Sequence, residues 1–148
     1  MTVSKSNLAN TYRSLGRFEE ALRMRRAVYS GYLRLHGEEH RRTLSEANCL
    51  ANLLIDLKRY EEAKSELKKV MPVAQRVLGE NNGTMLTMRR IYAATLYENS
   101  AATLGDLREA VTTLKETERI ARRMLGGAPG RRRGRARTAR GSRITPRP

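Results

Sequence analysis

The stretch Asn48–Gly79, NCLANLLIDLKRYEEAKSELKKVMPVAQRVLG, decides the fold because the chain repeats it. Moved 42 residues toward the N-terminus, it falls on Ser6–Gly37. The identical pairs include Leu8 and Leu50, Ala9 and Ala51, Asn10 and Asn52, Leu15 and Leu57, Arg17 and Arg59, Glu19 and Glu61, Glu20 and Glu62, Ala21 and Ala63, Val28 and Val70, and Gly37 and Gly79. A fixed period of this length indicates a protein built from repeated structural units.

A third copy follows, interrupted by an insertion. Moved 42 residues toward the C-terminus, the stretch places Ala93 on the position of Ala51. After five extra residues, Leu104, Glu109 and Ala110 continue the match at an offset of 47. The segment 98–106, ENSAATLGD, therefore predicts either a lengthened helix or a bulged loop in this copy.

Apolar and small residues recur at helical spacing within every copy, so each copy predicts two helices joined by a short turn. The predicted helices span residues 1–16, 18–35, 44–57, 60–78, 84–97 and 106–125. Thr43 and Glu46 fit a capping box, in which the threonine would cap the third helix. Pro72 lies inside the fourth helix, where the lost hydrogen bond predicts a kink or a break near Val70 or Met71.

Alanines recur at two fixed places in the copies and predict close helix crossings, where larger side chains would force the helices apart. Those on the first helix of each pair are Ala9, Ala51 and Ala93, and those on the second are Ala21, Ala63 and Ala110. The runs 8–12 (LANTY), 16–21 (GRFEEA) and 37–40 (GEEH) carry the rest of the pattern. Together they resemble the tetratricopeptide repeat in its 42-residue, kinesin light chain-like variety.

The resemblance covers residues 1–126 and implies an all-α, right-handed α-solenoid of about three helix-turn-helix repeats with six helices. Its units would span residues 1–42, 43–84 and 85–126. Lys58 stands where this repeat has its turn glycine, and Asn82 stands where a second histidine would follow His40.

The resemblance also implies a function, since the concave face of such a stack, built mainly by the first helix of each pair, binds extended peptides. Matched to the repeat, the inward positions are Ser6, Asn7, Asn10 and Arg13, then Asn48, Cys49, Asn52 and Ile55, then Arg90, Ile91, Ala94 and Tyr97. In related repeats, asparagines at such places hydrogen-bond the main chain of a bound peptide, and an amide can both donate and accept.

The candidate peptide-binding residues are therefore Asn7, Asn10, Arg13, Asn48, Asn52, Arg90 and Tyr97. Arg13, Arg89 and Arg90 would favour an acidic peptide through charge-assisted hydrogen bonds. The alternative is that these amides and cations are ordinary solvated side chains on helix surfaces.

Catalytic and metal-binding patterns are weak in this sequence. Cys49 would need a nearby base to act as a nucleophile, but the only histidines, His36 and His40, fall at the end of the preceding helix and in the loop after it. Two histidines alone make no metal site. The paired carboxylates at 19–20 and 61–62 recur at helix starts, where they favour the helix dipole. We therefore expect that the protein is not an enzyme and that it binds no cofactor.

The net charge of +15 is concentrated at the C-terminus. Residues 127–148 hold eight arginines and no acid, which leaves 22 basic and 15 acidic residues in 1–126. Almost without apolar residues, this segment is predicted to be a disordered tail. Its clustered arginines Arg131, Arg132, Arg133, Arg135 and Arg137 could contact nucleic acid or direct nuclear import. The alternatives are a solvated basic tail and a sequence produced by an altered reading frame.

No further helix is predicted to cover the apolar face of the last predicted helix. Val111, Leu114 and Ile120 are expected to be exposed there, because no polar capping helix follows. This predicts a piece of a longer array, or self-association through that face. No apolar run reaches the roughly 18 residues of a membrane span, and the N-terminus lacks the apolar core of a secretory signal. We expect a cytoplasmic protein, with the nucleus possible, whose partner is a protein or peptide.

Overall fold

Six helices and no strand make up the part of the chain that the computed structural model describes, residues 2–126, with side chains from residue 4 onward. The helices are α1 (Thr2–Ser14), α2 (Phe18–His36), α3 (Arg41–Asp56), α4 (Tyr60–Leu78), α5 (Gly83–Tyr97) and α6 (Leu104–Gly126). The all-α prediction is confirmed. The predicted disordered tail, 127–148, lies outside the described residues.

The helices pack in chain order, so that each pair is one layer of a stack. Consecutive helices are in contact throughout, and α3 also packs directly on α5. The alanines predicted at the crossings are all buried: Ala9, Ala21, Ala51, Ala63, Ala93 and Ala110. Because an alanine side chain ends at Cβ, the helix backbones can approach closely at each of these points.

The apolar core runs along the stack in two clusters. One joins α2, α3 and α4 around Leu22 and Leu54, and the other joins α3 to α6 around Leu67 and Met88. Tyr29 and Ile55 are half-buried and pack against both clusters. A core of this form, in which each layer supports its neighbours, is typical of repeat architectures.

The turns within the first two pairs have the same geometry despite the substitution of Lys58 for glycine. Gly16 has φ of 73° and Lys58 has φ of 57°, both in the left-handed region. In the first turn the Arg17 amide donates to the Tyr12 carbonyl at 2.9 Å, and in the second the Arg59 amide donates to the Leu54 carbonyl at 2.8 Å. Glycine adopts this conformation readily, whereas a side chain with Cβ is strained in it.

The predicted capping box at Thr43 and Glu46 is wrong. Helix α3 begins at Arg41, three residues before the predicted start, and its cap is His40, whose Nδ1 accepts a hydrogen bond from the Arg42 amide at 3.2 Å. Thr43 is buried inside the first turn, and Glu46 pairs with Arg25 of α2. Apolar contacts of the first turn therefore decide where the helix lies, and the chain supplies a different cap.

The residue that replaces the expected second histidine has the same role as His40. Asn82 caps α5, and its Oδ1 accepts hydrogen bonds from the amides of Thr84 at 2.9 Å and Met85 at 3.4 Å. Asparagine and neutral histidine both offer an acceptor at this distance from the backbone, which explains how the repeat tolerates the exchange.

Helix α4 runs unbroken through Pro72, so the predicted break is absent. Val70 and Ala74 are buried on either side of the proline, while Pro72 itself is exposed. Burial of both flanks offsets the loss of a single hydrogen bond. The insertion in the third copy forms a loop over residues 98–103, and α6 begins at Leu104 rather than at Asp106.

The exposed face of α6 differs from the predicted one at a single position. Val111 and Leu114 are exposed as expected, but Ile120 is completely buried. Ile120 lies on the buried side of α6 with Ala110, whereas the exposed apolar face is continued by Leu107 and Leu125. Of the described helices, none has the length and hydropathy that a membrane crossing requires.

Candidate functional site

The first helices of units two and three enclose a cleft of about 410 Å³, which we call the inner cleft. Six of its lining residues are predicted inward positions: Asn52 and Ile55 from α3, and Arg90, Ile91, Ala94 and Tyr97 from α5. Asp56, Lys58, Tyr60 and Glu98 complete the lining. The direct packing of α3 on α5 sets the walls close together.

A smaller cleft of about 60 Å³ lies beside it, between α1 and α3. It gathers four of the six remaining predicted positions, Asn10, Arg13, Asn48 and Cys49, and it shares Asn52 with the inner cleft. Arg25 of α2 also reaches this cleft. Asn7 is exposed and lines neither cleft. The structure thus brings together six of the seven candidate residues along one face.

Asn10 is held in a hydrogen-bond network that the sequence analysis missed. Arg25 is only 4% exposed, and its guanidinium donates to Asn10 Oδ1 at 2.5 Å and to Glu46 Oε2 at 2.6 Å. Ser6 Oγ donates to Glu46 Oε1 at 3.1 Å. The sequence did contain a signal for this network. The residue equivalent to Arg25 in the next unit is Leu67, which is buried, so Arg25 stands at a core position of the repeat. Asn10 therefore positions a buried ion pair between helices.

Arg13 is also engaged within the protein. Its Nε donates to Asp56 Oδ2 at 2.5 Å. With the amide of Asn52 turned so that its oxygen faces α1, Arg13 also donates to Asn52 at 3.1 and 3.3 Å. Because Asp56 neutralises it, this arginine ties α1 to α3 and contributes little free positive charge to the face.

Arg90 and Tyr97 are the candidate residues that remain most available. Tyr97 is 48% exposed, and Arg90 is exposed with no ion pair to any described residue. Arg89, by contrast, lines neither cleft, and its Nη2 donates to Gln75 of α4 at 3.0 Å. Lys58 and Glu98 are exposed at the inner cleft. The inner cleft therefore combines an accessible aromatic ring, apolar Ile55 and unpaired charges.

Asn48 and Cys49 complete the small cleft with different chemistry. Asn48 Oδ1 is buried with no hydrogen-bond partner among the described residues, so it can still accept one. Burial raises the pKa of the Cys49 thiol, and the nearby Glu46 adds to this while Arg25 opposes it. A raised pKa keeps the sulfur protonated at neutral pH, which makes it a poor nucleophile. Within residues 2–126 no three His, Cys, Asp or Glu side chains are placed to hold a metal ion.

Comparison with known proteins identifies the repeat. A sequence model described as "Tetratricopeptide repeat" matches residues 2–42 and 43–82. No curated protein gives a significant match. Members of this repeat family, and proteins with this fold, are typically non-enzymatic.

Solved structures with the same fold are similar to this chain at low sequence identity. A kinesin light chain-like protein from Podosopora anserina with nearly identical TPR-like repeats superimposes with a TM-score of 0.67 at 21% identity, covering 82% of this chain and 56% of that one. A single-substitution variant of the same protein gives 0.70 at 21%, covering 84% and 57%. BtubC (BKLC) from P. vanneervenii gives 0.59 at 17%, covering 99% and 71%. The chain thus spans little more than half the length of the first two.

Proposed function

Because the chain belongs to the tetratricopeptide repeat family, whose repeats serve as protein-interaction scaffolds, we propose that it recognises an extended peptide of a partner protein in the inner cleft. Solenoids of this kind use extended concave surfaces for recognition. The partner's main chain would run along α3 and α5, with the small cleft continuing the same face toward α1.

The observation that carries this proposal is that an exposed aromatic ring, apolar side chains and an unpaired cation meet in the inner cleft. Tyr97 is half exposed beside Ile55 and Ile91, and Arg90 has no carboxylate partner among the described residues. Tyrosine and arginine are, with tryptophan, the side chains enriched among the residues that dominate binding energy at protein interfaces. An exposed aromatic ring beside an unpaired cation favours a peptide with an apolar anchor and a neighbouring carboxylate.

The preference for an acidic peptide rests on fewer charges than the sequence suggested. Arg13 is neutralised by Asp56, and Arg89 points to Gln75. Arg90 and Lys58 remain, opposed by Glu98. We therefore propose a peptide with one or two carboxylates near its anchor residue rather than a long acidic run.

The test is a binding screen of the full chain against a library of short peptides, followed by affinity measurements on the best ligand. Tyr97→Ala and Arg90→Gln should each weaken binding by about tenfold or more. Arg90→Glu should reverse the preference for carboxylate-bearing peptides. Arg34→Gln, an exposed arginine of α2 outside both clefts, is the matched control. Ligands whose affinity is unchanged by both inner-cleft substitutions would contradict the proposal.

A second candidate function rests on the composition of residues 127–148. Eight arginines without an acid favour electrostatic binding to nucleic acid or recognition as a nuclear import signal. Such binding to DNA or RNA would weaken steeply with salt and would not respond to Tyr97→Ala. Arg131, Arg132, Arg133, Arg135 and Arg137, which lie outside the described residues, are the positions to replace with glutamine.

A further inference from the structure

A cleft of about 210 Å³ lies between the second helices of units one and two, and we call it the outer cleft. Its walls are Tyr29 and Leu33 of α2 and Lys69, Val70 and Val73 of α4, and its floor is Thr43, Leu44 and Ala47 of α3. Glu38, from the loop before α3, lies at its edge. None of these residues contributes to the inner cleft.

One buried polar side chain among the residues that line this cleft lacks a hydrogen-bond partner in the described part of the chain. Thr43 is 1% exposed, and its Oγ1 makes no hydrogen bond to any described residue. A buried hydroxyl without a hydrogen-bond partner destabilises the folded state. A ligand that brought a polar group into the outer cleft could satisfy it.

The contact between two consecutive units is called a junction here. At the next junction, between units two and three, an arginine side chain fills the space that corresponds to the outer cleft. Forty-two residues further on, Ala47 becomes Arg89, Thr43 becomes Met85 and Leu33 becomes Gln75. There Arg89 extends from α5 to α4 and donates to Gln75 Oε1 at 3.0 Å, with its Nη1 fully buried. An arginine side chain from within the fold thus occupies the position that alanine leaves open at the first junction.

The charges around the outer cleft also suit a guanidinium. Glu38 is exposed and forms no ion pair with a described residue. Glu38 lines this cleft together with Tyr29, and Glu66 lines a neighbouring cleft with it. The pKa of Tyr29 is raised first by burial and then by these two carboxylates. Lys69 opposes a second cation, although its ammonium is 3.4 Å from Glu66 Oε1. An aromatic ring close to carboxylates is a favourable place for a planar cation.

The chain carries a source of arginine within reach. Residues 127–148 hold eight arginines and follow directly on α6. At the end of α6, Arg123 lies 3.2 Å from Glu80 in the loop one repeat after Glu38. One repeat spans two helix diameters, about 20 Å, while 22 residues can extend to roughly 70 Å.

We infer that the outer cleft binds an arginine side chain of the chain's own segment 127–148. The guanidinium would take the place that Arg89 occupies in the next junction, donating to Glu38 and to Thr43 Oγ1. Docking would hold this segment against the repeats and would compete with any anionic partner for its arginines.

Paramagnetic relaxation in the full chain tests this inference. A spin label is attached at Ser142→Cys in a Cys49→Ser background, and amide signals of the repeats are recorded. We expect Thr43, Leu44 and Val70 to lose most of their intensity relative to the reduced label. Glu38→Gln should weaken docking by about tenfold, as for one charge-assisted hydrogen bond. Ala47→Arg should abolish it by filling the cleft, and Lys69→Gln should strengthen it.

The controls separate this docking from other binding. Glu98→Gln removes a carboxylate from the inner cleft and should leave the broadening unchanged. A mixture of labelled and isotope-enriched chains shows whether the arginine comes from a second molecule, and broadening there as strong as in the single chain would contradict the inference. Broadening that is absent, or that persists in both Glu38→Gln and Ala47→Arg, would overturn it. Glu38→Gln lies on the surface and keeps the test valid if Ala47→Arg disturbs folding.

Discussion

The left-handed backbone of Lys58 is the clearest strain in the described part of the chain. Every other described residue with positive φ is a glycine, and the matching turn in unit one uses Gly16. A non-glycine residue in this conformation costs about 1–2 kcal/mol. Lys58 lines the inner cleft, where its ammonium contributes one of the few unpaired positive charges. The strained residue is therefore also one that supplies a positive charge to the proposed peptide-binding cleft.

Lys58→Gly should raise the free energy of unfolding by about 1 kcal/mol, because it removes the strained Cβ from the turn. Chemical denaturation of the full chain measures this. Lys58→Ala is the matched control, since it removes the charge but keeps the strain, and it should change stability by less than about 0.5 kcal/mol. Equal gains from alanine and glycine would show that the charge, and not the backbone, is responsible.

The buried pair of Arg25 and Glu46 has an apolar counterpart in the next junction, where Leu67 and Met88 occupy the same positions. Arg25→Leu alone should destabilise the protein by about 3–5 kcal/mol, because it leaves Glu46 half-buried without its cation. The double variant Arg25→Leu with Glu46→Met copies the next junction and should recover most of this loss. A double-mutant cycle with thermal or denaturant unfolding measures the coupling. Additive losses would contradict the internal comparison.

At the scale of the helix, a reciprocal capping box starts α6. The Asp106 amide donates to Thr103 Oγ1 at 3.1 Å, and the Thr103 amide donates to Asp106 Oδ2 at 2.9 Å. This is the arrangement that the sequence analysis expected at Thr43 and Glu46. The two segments have the same spacing, so spacing alone could not choose between them. The apolar Leu44 and Ala47, which must reach the core, place Thr43 inside its helix.

The stability that this cap contributes depends on pH, because the Asp106 carboxylate must be ionised. The hydrogen bond from the Thr103 amide, then that from its hydroxyl and the contact with Lys64, lower the pKa of Asp106 to about 2. Since the folded pKa lies below the value of about 3.9 in an unfolded chain, the stabilisation is present above that value and is lost as the pH falls toward 2. Asp106→Asn should therefore reduce stability at pH 7, and the difference from the natural chain should disappear near pH 2. A pH-independent difference would contradict this assignment.

At the scale of the whole molecule, the period of 42 predicted the number of helices, their pairing and the buried alanines. The residues that line the inner cleft and the small cleft were predicted from the resemblance to the tetratricopeptide repeat, which implies the inward positions, and not from the period alone. The period could not reveal which polar residues bind each other across helices. Asn10 and Arg13 have internal partners because Arg25 and Asp56 happen to lie opposite them. Such pairings depend on side chains from different helices and units, which the pattern of a single unit does not contain.

Helix α6, the last described helix of the stack, has an exposed apolar face. Leu114 corresponds to Leu67, which is buried against the following unit, yet Leu114 is 36% exposed and Val111 and Leu107 lie exposed beside it. A second copy could cover this face through a symmetric contact of two α6 helices, which closes as a dimer. We therefore expect a concentration-dependent dimer of the full chain in sedimentation velocity. Leu114→Glu should give monomers at every concentration, whereas Leu35→Glu, at an exposed apolar site on α2, should still dimerise. A natural chain that stays monomeric, or a dimer insensitive to Leu114→Glu, would show that this face does not mediate self-association.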